Sequence, residues 1–173
     1  MNQTVTPVLA QGQDHEFSCF GLKIAAKRWG DPKGLPVLGL HGWLDNANTF
    51  DRLAPLLPEL NLVALDFAGH GRSDHRPEGV HYQPLLDMQE VLLIADQLGW
   101  QQFGLIGHSM GAAIASEFAA TFPDRVSKVV CIDGFFATGG ATTEERIEQN
   151  REAIGQMLQV HNKHPRPYPD TQD

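Results

Sequence analysis

The chain has few cysteines, few basic residues and no long apolar run. Its 173 residues hold two cysteines, Cys19 and Cys131, whose separation matches no metal motif, so neither a metal site nor a disulfide is indicated. No apolar run approaches the ~20 residues of a membrane helix, and no signal-peptide pattern begins the chain, which predicts a cytoplasmic protein without membrane contact. Thirteen basic against 21 acidic residues, a net charge of −8, argue against a nucleic acid partner.

The fingerprint of a dinucleotide site is also incomplete. Gly69-x-Gly71 supplies two of its three glycines, but Asp74 stands in place of the third, and no helix pattern follows at once. We therefore expect no cofactor.

Apolar residues make up 42% of the chain, which is enough for one sizeable core. Short apolar runs alternate with amphipathic patterns after a hairpin signal, an order typical of an α/β fold with a mostly parallel sheet covered by helices on both faces. We expect an arm at 1–14, a core of six strands at 15–140 and a separate segment at 141–173. The expected strands are 16–20, 22–28, 36–40, 61–66, 102–106 and 126–133, and the expected helices run from 46 or 48 to about 60, from 82 or 83 to 99, and over 111–120.

The pentapeptide Gly-His-Ser-Met-Gly, residues 107–111, lies between an apolar run and a pattern of small helix formers. This context predicts a nucleophile elbow, in which Ser109 occupies a strained turn between strand and helix and Gly107 and Gly111 give it clearance. The turn would expose the Ser109 hydroxyl and point the N–H of Met110 to the place where an acyl oxyanion forms. The pentapeptide alone is a weak signal, so the interpretation depends on its context.

Two more motifs follow strand patterns upstream. His41-Gly42-Trp43 comes after the run 36–40, and Asp-Phe-Ala-Gly-His-Gly-Arg-Ser-Asp, residues 66–74, ends the run 61–66. Glycines just after a central strand let the backbone pass close to a ligand at the carboxyl ends of the strands. With the three motifs in this order, the chain resembles the α/β-hydrolase superfamily over nearly its whole length, and within it the serine esterases and lipases.

The resemblance implies a carboxylic-ester hydrolase that acts on a small-molecule ester through a Ser109 acyl-enzyme. It assigns the second N–H of the oxyanion hole to Trp43, opposite that of Met110, and the Trp43 indole would wall the acyl pocket. A serine at the elbow distinguishes the chain from related dehalogenases and epoxide hydrolases, which carry aspartate there.

Five further residues are expected around the substrate or beneath it. His41 and Gly42 would order the oxyanion loop, and His108 would lie beside the nucleophile, so all three are candidate substrate-binding residues. The alternative is that His41 and Gly42 only form a strand-to-helix turn. Asp66 and His70 are expected to be structural, with Asp66 bonded to nearby backbone.

A catalytic serine needs a histidine base and an acid that fixes its tautomer. In the family the acid usually follows a seventh strand, but some members place an aspartate at the end of the sixth, which Asp133 matches. The alternative is that Asp133 caps the following loop. The family's histidine follows an eighth strand, and after Asp133 only His161 and His164 remain, both within the segment 141–173 that would begin a lid.

The sequence pattern therefore corresponds to the first two-thirds of a hydrolase. This leaves a second hypothesis, a non-catalytic binding chain or pseudo-enzyme that keeps the pocket without a base. The absence of a seventh strand pattern also predicts that strand 126–133 is an edge strand, through which the chain could self-associate. Lys128 is the one charge that would oppose such pairing.

Overall fold

The structure, a computed structural model, describes residues 9–134 of the chain. These residues belong to Met1–Phe136, the first of two units into which the chain divides. The predicted lid segment 141–173, with His161 and His164, lies outside the described residues. Among the described residues no helix is long and apolar enough to span a membrane.

The described residues form a six-stranded sheet with the order β1-β2-β4-β3-β5-β6. Antiparallel pairing joins β1 to β2 and β2 to β4, and the remaining pairs are parallel. The carboxyl ends of β3, β4, β5 and β6 therefore meet at one edge of the sheet, where the three motifs and Asp133 begin. This confirms the predicted fold class. The strands are β1 Leu9–Cys19, β2 Leu22–Gly30, β3 Leu35–Leu40, β4 Leu60–Leu65, β5 Phe103–His108 and β6 Val126–Ile132.

The first strand begins inside the stretch 1–14 that was predicted to be an arm, so that boundary was wrong. β1 is the outer strand of the hairpin and alternates exposed and half-buried side chains, which makes its apolar period too weak to identify from sequence. The hairpin itself is confirmed. Its turn places Phe20 and Gly21 at φ values of 51° and 81°, the conformation that a tight two-residue turn requires.

The helix predicted from residue 46 or 48 to about 60 was also wrong. The chain instead forms two one-turn 3₁₀ helices, Ala47–Phe50 and Ala54–Leu56. Asn46 caps the first of them, since its side chain accepts a hydrogen bond of 3.0 Å from the Asn48 N–H. Pro55 and Pro58 lack the N–H groups that a regular helix would need, which explains why the apolar spacing does not continue as one helix.

Two α-helices occur in the described part, α1 Pro84–Gln97 and α2 Met110–Thr121, close to the predicted bounds. They pack on one face of the sheet, where alternate strand residues contribute to the larger core. The 3₁₀ turns pack on the other face through Phe50 and Ala54. A third one-turn 3₁₀ helix, Pro123–Arg125, leads into β6.

Candidate active site

Ser109 lies at the sharp turn between β5 and α2, with φ 50° and ψ −113°. A non-glycine residue rarely adopts this conformation, and its side chain is exposed at the carboxyl edge of the sheet. A Cβ added to Gly107 would lie 2.5 Å from the Ala112 nitrogen, and one added to Gly111 would lie 2.7 Å from the His41 oxygen. Both glycines are thus required by close backbone approach, as the elbow pattern predicts.

The turn is fixed to the end of β6 by backbone contacts. The Ser109 N–H donates a hydrogen bond of 3.0 Å to the Ile132 carbonyl oxygen. A Cβ added to Gly134 would lie 2.6 Å from the backbone carbonyl oxygen of Ser109. Asp133 lies between these two contacts, with φ 47° and an exposed side chain. The structure therefore brings the backbone of the candidate acid next to the candidate nucleophile.

The loop that follows β3 passes over the elbow. A Cβ on Gly42 would lie 3.4 Å from the Ser109 Cβ and 3.0 Å from the His108 Nδ1. Among the residues that the structure describes, the buried His108 Nδ1 has no hydrogen-bond partner, and the His108 ring lies against the loop. Gly42 and His108 thus lie beside Ser109, and a side chain at position 42 would be crowded by the His108 ring.

His41 is fully buried, and both of its ring nitrogens are bonded. Its Nδ1 lies 2.7 Å from the Gly42 carbonyl oxygen, and its Nε2 accepts a hydrogen bond of 3.0 Å from the Phe67 N–H. Burial lowers the pKa of His41, which keeps the ring neutral and Nε2 able to accept. This placement favours a structural role, joining the loops after β3 and β4, over the predicted substrate contact.

Asp66 connects the same loops from the other side. Its carboxylate accepts hydrogen bonds from the Ala47 N–H at 2.7 Å and the Arg72 N–H at 2.8 Å. The Ser73 hydroxyl donates to the Asp66 carbonyl at 2.6 Å and accepts from the Ala25 N–H at 2.8 Å. All these bonds have a backbone group on one side, and two of them join the turn 66–74 to distant parts of the chain, so the turn is a scaffold, as the resemblance implies.

A cavity of about 150 Å³ opens beside the elbow. Its lining includes both residues assigned to the oxyanion hole, together with apolar and polar side chains from the loop after β4 and from the start of α1. Trp43 is 63% exposed and forms part of the mouth. The residues that matter for its chemistry are Trp43, Ala68, His70, Tyr82, Asp87 and Met110.

A charged cluster behind this cavity was missed by the sequence reasoning. The Arg76 Nη2 lies 3.1 Å from the Asp87 Oδ1 and 2.7 Å from the Glu90 Oε1, and all three side chains are nearly inaccessible. Two carboxylates one helical turn apart among the apolar residues of α1 were a usable signal, because carboxylates seldom face a core without a partner. No group of three or more metal-ligating side chains is formed by the described residues.

Comparisons with known proteins agree with this geometry. A family model described as the alpha/beta hydrolase fold matches residues 36–156. A human serine hydrolase-like protein is 44% identical over 139 residues, which cover 79% of this chain and 68% of that protein. A solved hypothetical protein from Pseudomonas aeruginosa PAO1 is 41% identical, with a TM-score of 0.82 over 92% of this chain and 56% of its own. A solved thioesterase domain from the curacin biosynthetic pathway is 25% identical, with a TM-score of 0.74, over 91% and 55% of the two chains.

The chain thus spans a little over half the length of these two solved relatives. The matched stretch begins at β3 and contains the loop after it, the turn 66–74 and the strained elbow. Both the arrangement of the strands and the comparisons lead to one assignment: the chain belongs to the α/β-hydrolase family.

Proposed function

We propose that the chain carries the nucleophile of a carboxylic-ester hydrolase and that Ser109 forms its acyl-enzyme. The observation that supports this most is the conformation of Ser109, a positive φ at an exposed serine between two glycines that cannot carry a side chain. Such strain costs of the order of 1–3 kcal/mol and is typically retained where a reaction uses it.

In the proposed reaction the Ser109 oxygen attacks the ester carbonyl while its proton passes to a histidine base. The oxygen of the tetrahedral intermediate takes up the negative charge and accepts hydrogen bonds from the N–H groups of Trp43 and Met110. The base then returns the proton to the alcohol as the carbon–oxygen bond breaks, and water releases the acid by the same steps. That Trp43 and Met110 line one cavity supports this assignment.

Asp133 is the proposed acid, and its place after β6 beside the elbow supports the choice. Among the described histidines, His41 is bonded to Gly42 and Phe67, and His70 to Ala68, which favours structural roles for both. The candidate bases His161 and His164 lie outside the described residues.

Reaction with a fluorophosphonate probe tests the proposal, because this reagent modifies only an activated serine. We expect the full chain to be labelled and to hydrolyse 4-nitrophenyl butanoate only very slowly, because a serine without an identified histidine base is a poor nucleophile, and we expect Ser109→Ala to abolish both. Ser116→Ala is the matched control, since Ser116 lies in α2 and bonds the Ala112 carbonyl at 2.8 Å. Absence of labelling in a folded chain would contradict the proposal and favour the non-catalytic binding protein.

A further inference from the structure

The walls of the cavity beside Met110 present carbon atoms to a ligand, since their accessible surface is almost wholly apolar. Asp87 and His70 are among the lining residues, but their polar atoms are engaged or buried. The Asp87 Oδ1 accepts a hydrogen bond of 3.1 Å from Arg76. His70 Nδ1 lies 3.2 Å from the Ala68 carbonyl oxygen, and His70 Nε2 is inaccessible to solvent. An apolar group therefore gains free energy by leaving water for this cavity, whereas a charged group would lose its hydration there.

The cavity is also small. Its volume is about 150 Å³, and an apolar cavity of this volume holds a molecule of about six carbon atoms. A longer chain would have to extend into solvent, where further methylene groups gain little free energy. The cavity therefore suits a short apolar chain.

Tyr82 is a wall of this cavity whose ring is held by several contacts. The ring lies on Gly69, since a Cβ added there would lie 2.6 Å from the Tyr82 Cε1. The Tyr82 hydroxyl accepts a hydrogen bond of 3.1 Å from the Arg76 N–H and lies 3.3 Å from His75 Nδ1. The Arg76 guanidinium lies over the ring, with its Cζ 5.6 Å from the centroid. These contacts fix the ring although it belongs to the loop before α1.

The other apolar walls are less suited to limit the length of a chain. Met110 has a flexible, unbranched side chain, and Trp43 is 63% exposed at the mouth. Ala68 and Pro84 have small side chains. Truncation of Tyr82, by contrast, would join the space of a whole aromatic ring to the cavity.

The position of the cavity suits the part of an ester that stays on the protein. Trp43 and Met110, the residues assigned to the oxyanion hole, both line it, so a carbonyl group at Ser109 would have a substituent beside it. In the proposed reaction the alcohol leaves and water enters, while the acyl chain stays bonded to Ser109. A pocket of apolar walls fits the chain that stays.

On the basis of the proposed function, we propose that this cavity binds the apolar chain of a short acyl group, of up to about six carbon atoms, and that the Tyr82 ring sets this upper length. Tyr82 is then a specificity-determining residue. Each methylene group that enters the cavity raises kcat/KM by about fourfold, and each one beyond it raises kcat/KM little.

Straight-chain 4-nitrophenyl esters from ethanoate to decanoate test the inference, because only the acyl chain differs among them. Release of 4-nitrophenoxide is followed with the full chain in excess, which gives kcat/KM for acylation after the rate with Ser109→Ala is subtracted. We expect kcat/KM to rise by about fourfold per methylene group up to about hexanoate and then to stop rising. Tyr82→Ala should extend the rise toward octanoate. A rate that does not depend on chain length, or an unchanged limit in Tyr82→Ala, would overturn the inference.

Two control variants separate the bulk of the ring from indirect effects. Tyr82→Phe keeps the ring and removes the hydroxyl, and Leu85→Ala truncates a nearby apolar side chain that is 62% exposed and does not line the cavity. We expect both to keep the limit near hexanoate. The limit is a comparison within one variant, so it does not depend on the folded fraction. A shift in either control as large as that in Tyr82→Ala would overturn the inference.

Binding of straight-chain alcohols to Ser109→Ala separates this inference from the proposed hydrolysis. The probes run from propan-1-ol to octan-1-ol, and the readout is the indole resonance of Trp43, identified among the three tryptophans by Trp43→Phe. We expect Kd to fall by about fourfold per carbon atom up to about hexan-1-ol and then to level off. Adding Tyr82→Ala should extend the fall.

The two measurements can fail independently. If no ester is cleaved but the alcohols bind with this limit, the assignment of the cavity to a short apolar chain stands and the hydrolase proposal fails. If esters are cleaved but neither their rates nor the Kd values change with Tyr82→Ala, the hydrolase proposal stands and this inference is overturned.

Discussion

The Ser109 N–H donates a hydrogen bond of 3.0 Å to the carbonyl oxygen of Ile132. This bond continues the pairing of β5 with β6 by one residue beyond His108 and Ile132, the last pair of the register. It ties the strained turn to the end of the neighbouring strand. Asp133, which comes next along the chain, therefore begins its loop at a position defined by the nucleophile.

We expect Asp133→Asn to lower the kcat for 4-nitrophenyl butanoate by a factor between about 10 and about 10⁴, because a triad acid sets the tautomer of the base. KM should change little, since the exposed carboxylate lies outside the cavity lining. Asp124→Asn is the control, because Asp124 is an exposed aspartate before the opposite end of β6. Equal kcat values for the two variants would rule out Asp133 as the acid.

We expect Gly111→Ala to lower the free energy of unfolding by about 2 kcal/mol or more, because its Cβ would overlap the Leu40 and His41 carbonyl groups, which are backbone and cannot rotate away. Gly104→Ala, at the start of β5, is the comparison variant. Its Cβ would lie 3.3 Å from a Val37 methyl group, which can shift, so the loss should be under about 1 kcal/mol. Urea denaturation of both variants measures the difference, and equal losses would contradict the close approach at Gly111.

The elbow and the hairpin could be predicted from sequence because each depends on neighbours in the chain. Gly107 and Gly111 bracket Ser109 within five residues, and Phe20-Gly21 interrupts two strand patterns. In both places the sequence itself has glycine where the backbone turn has no space for a side chain or needs a positive φ. The roles of these glycines in the structure follow from the same short-range geometry.

The wrongly predicted helix before β4 and the charged cluster of Arg76 with two carboxylates depend on tertiary contacts. Sequence spacing does not reveal these contacts. Around Pro55 the apolar spacing suits a helix, but the chain packs on the sheet through Phe50 and Ala54 in two 3₁₀ turns. Arg76 lies in a loop, and only the tertiary fold brings it against Asp87 and Glu90 on α1. A polar residue in a loop carries no period that could identify its partner.

The cluster predicts an unusual dependence of stability on pH. Burial raises the pKa of Glu90 above its ordinary value of 4.5 and that of Asp87 above 3.8, so the folded chain binds protons more tightly than the unfolded chain. Their contribution to the free energy of unfolding is therefore greatest below these ordinary values and decreases as pH rises through the raised values.

We expect Glu90→Gln to lessen that decrease, because it removes one of the two titrating groups. Relative to the unsubstituted chain, the variant should become steadily more stable in urea denaturation as pH rises above the ordinary glutamate pKa of 4.5. Glu59→Gln, on an exposed glutamate, controls for the change in net charge. A stability difference that stays constant with pH would contradict the raised pKa.

The outer edge of β6 is accessible among the described residues. In the part of the chain that the structure describes, this strand pairs only with β5, and Val130 is 50% exposed, with Val129 and Ile132 also accessible. Unpaired strand backbone beside apolar side chains favours pairing with a second copy, and Lys128 is the only charged residue within the strand. We propose that the chain self-associates through this edge.

Sedimentation velocity over a range of concentrations tests the proposal. The weight-average molar mass of the unsubstituted protein in solution should rise with concentration. Val130→Lys should suppress this rise, because a second copy would have to bury the added charge against the strand. Val80→Lys adds the same charge at an exposed valine outside the strands and should leave association unchanged. A chain that stays monomeric at every concentration, or an equal effect of both lysines, would exclude the β6 edge as the contact.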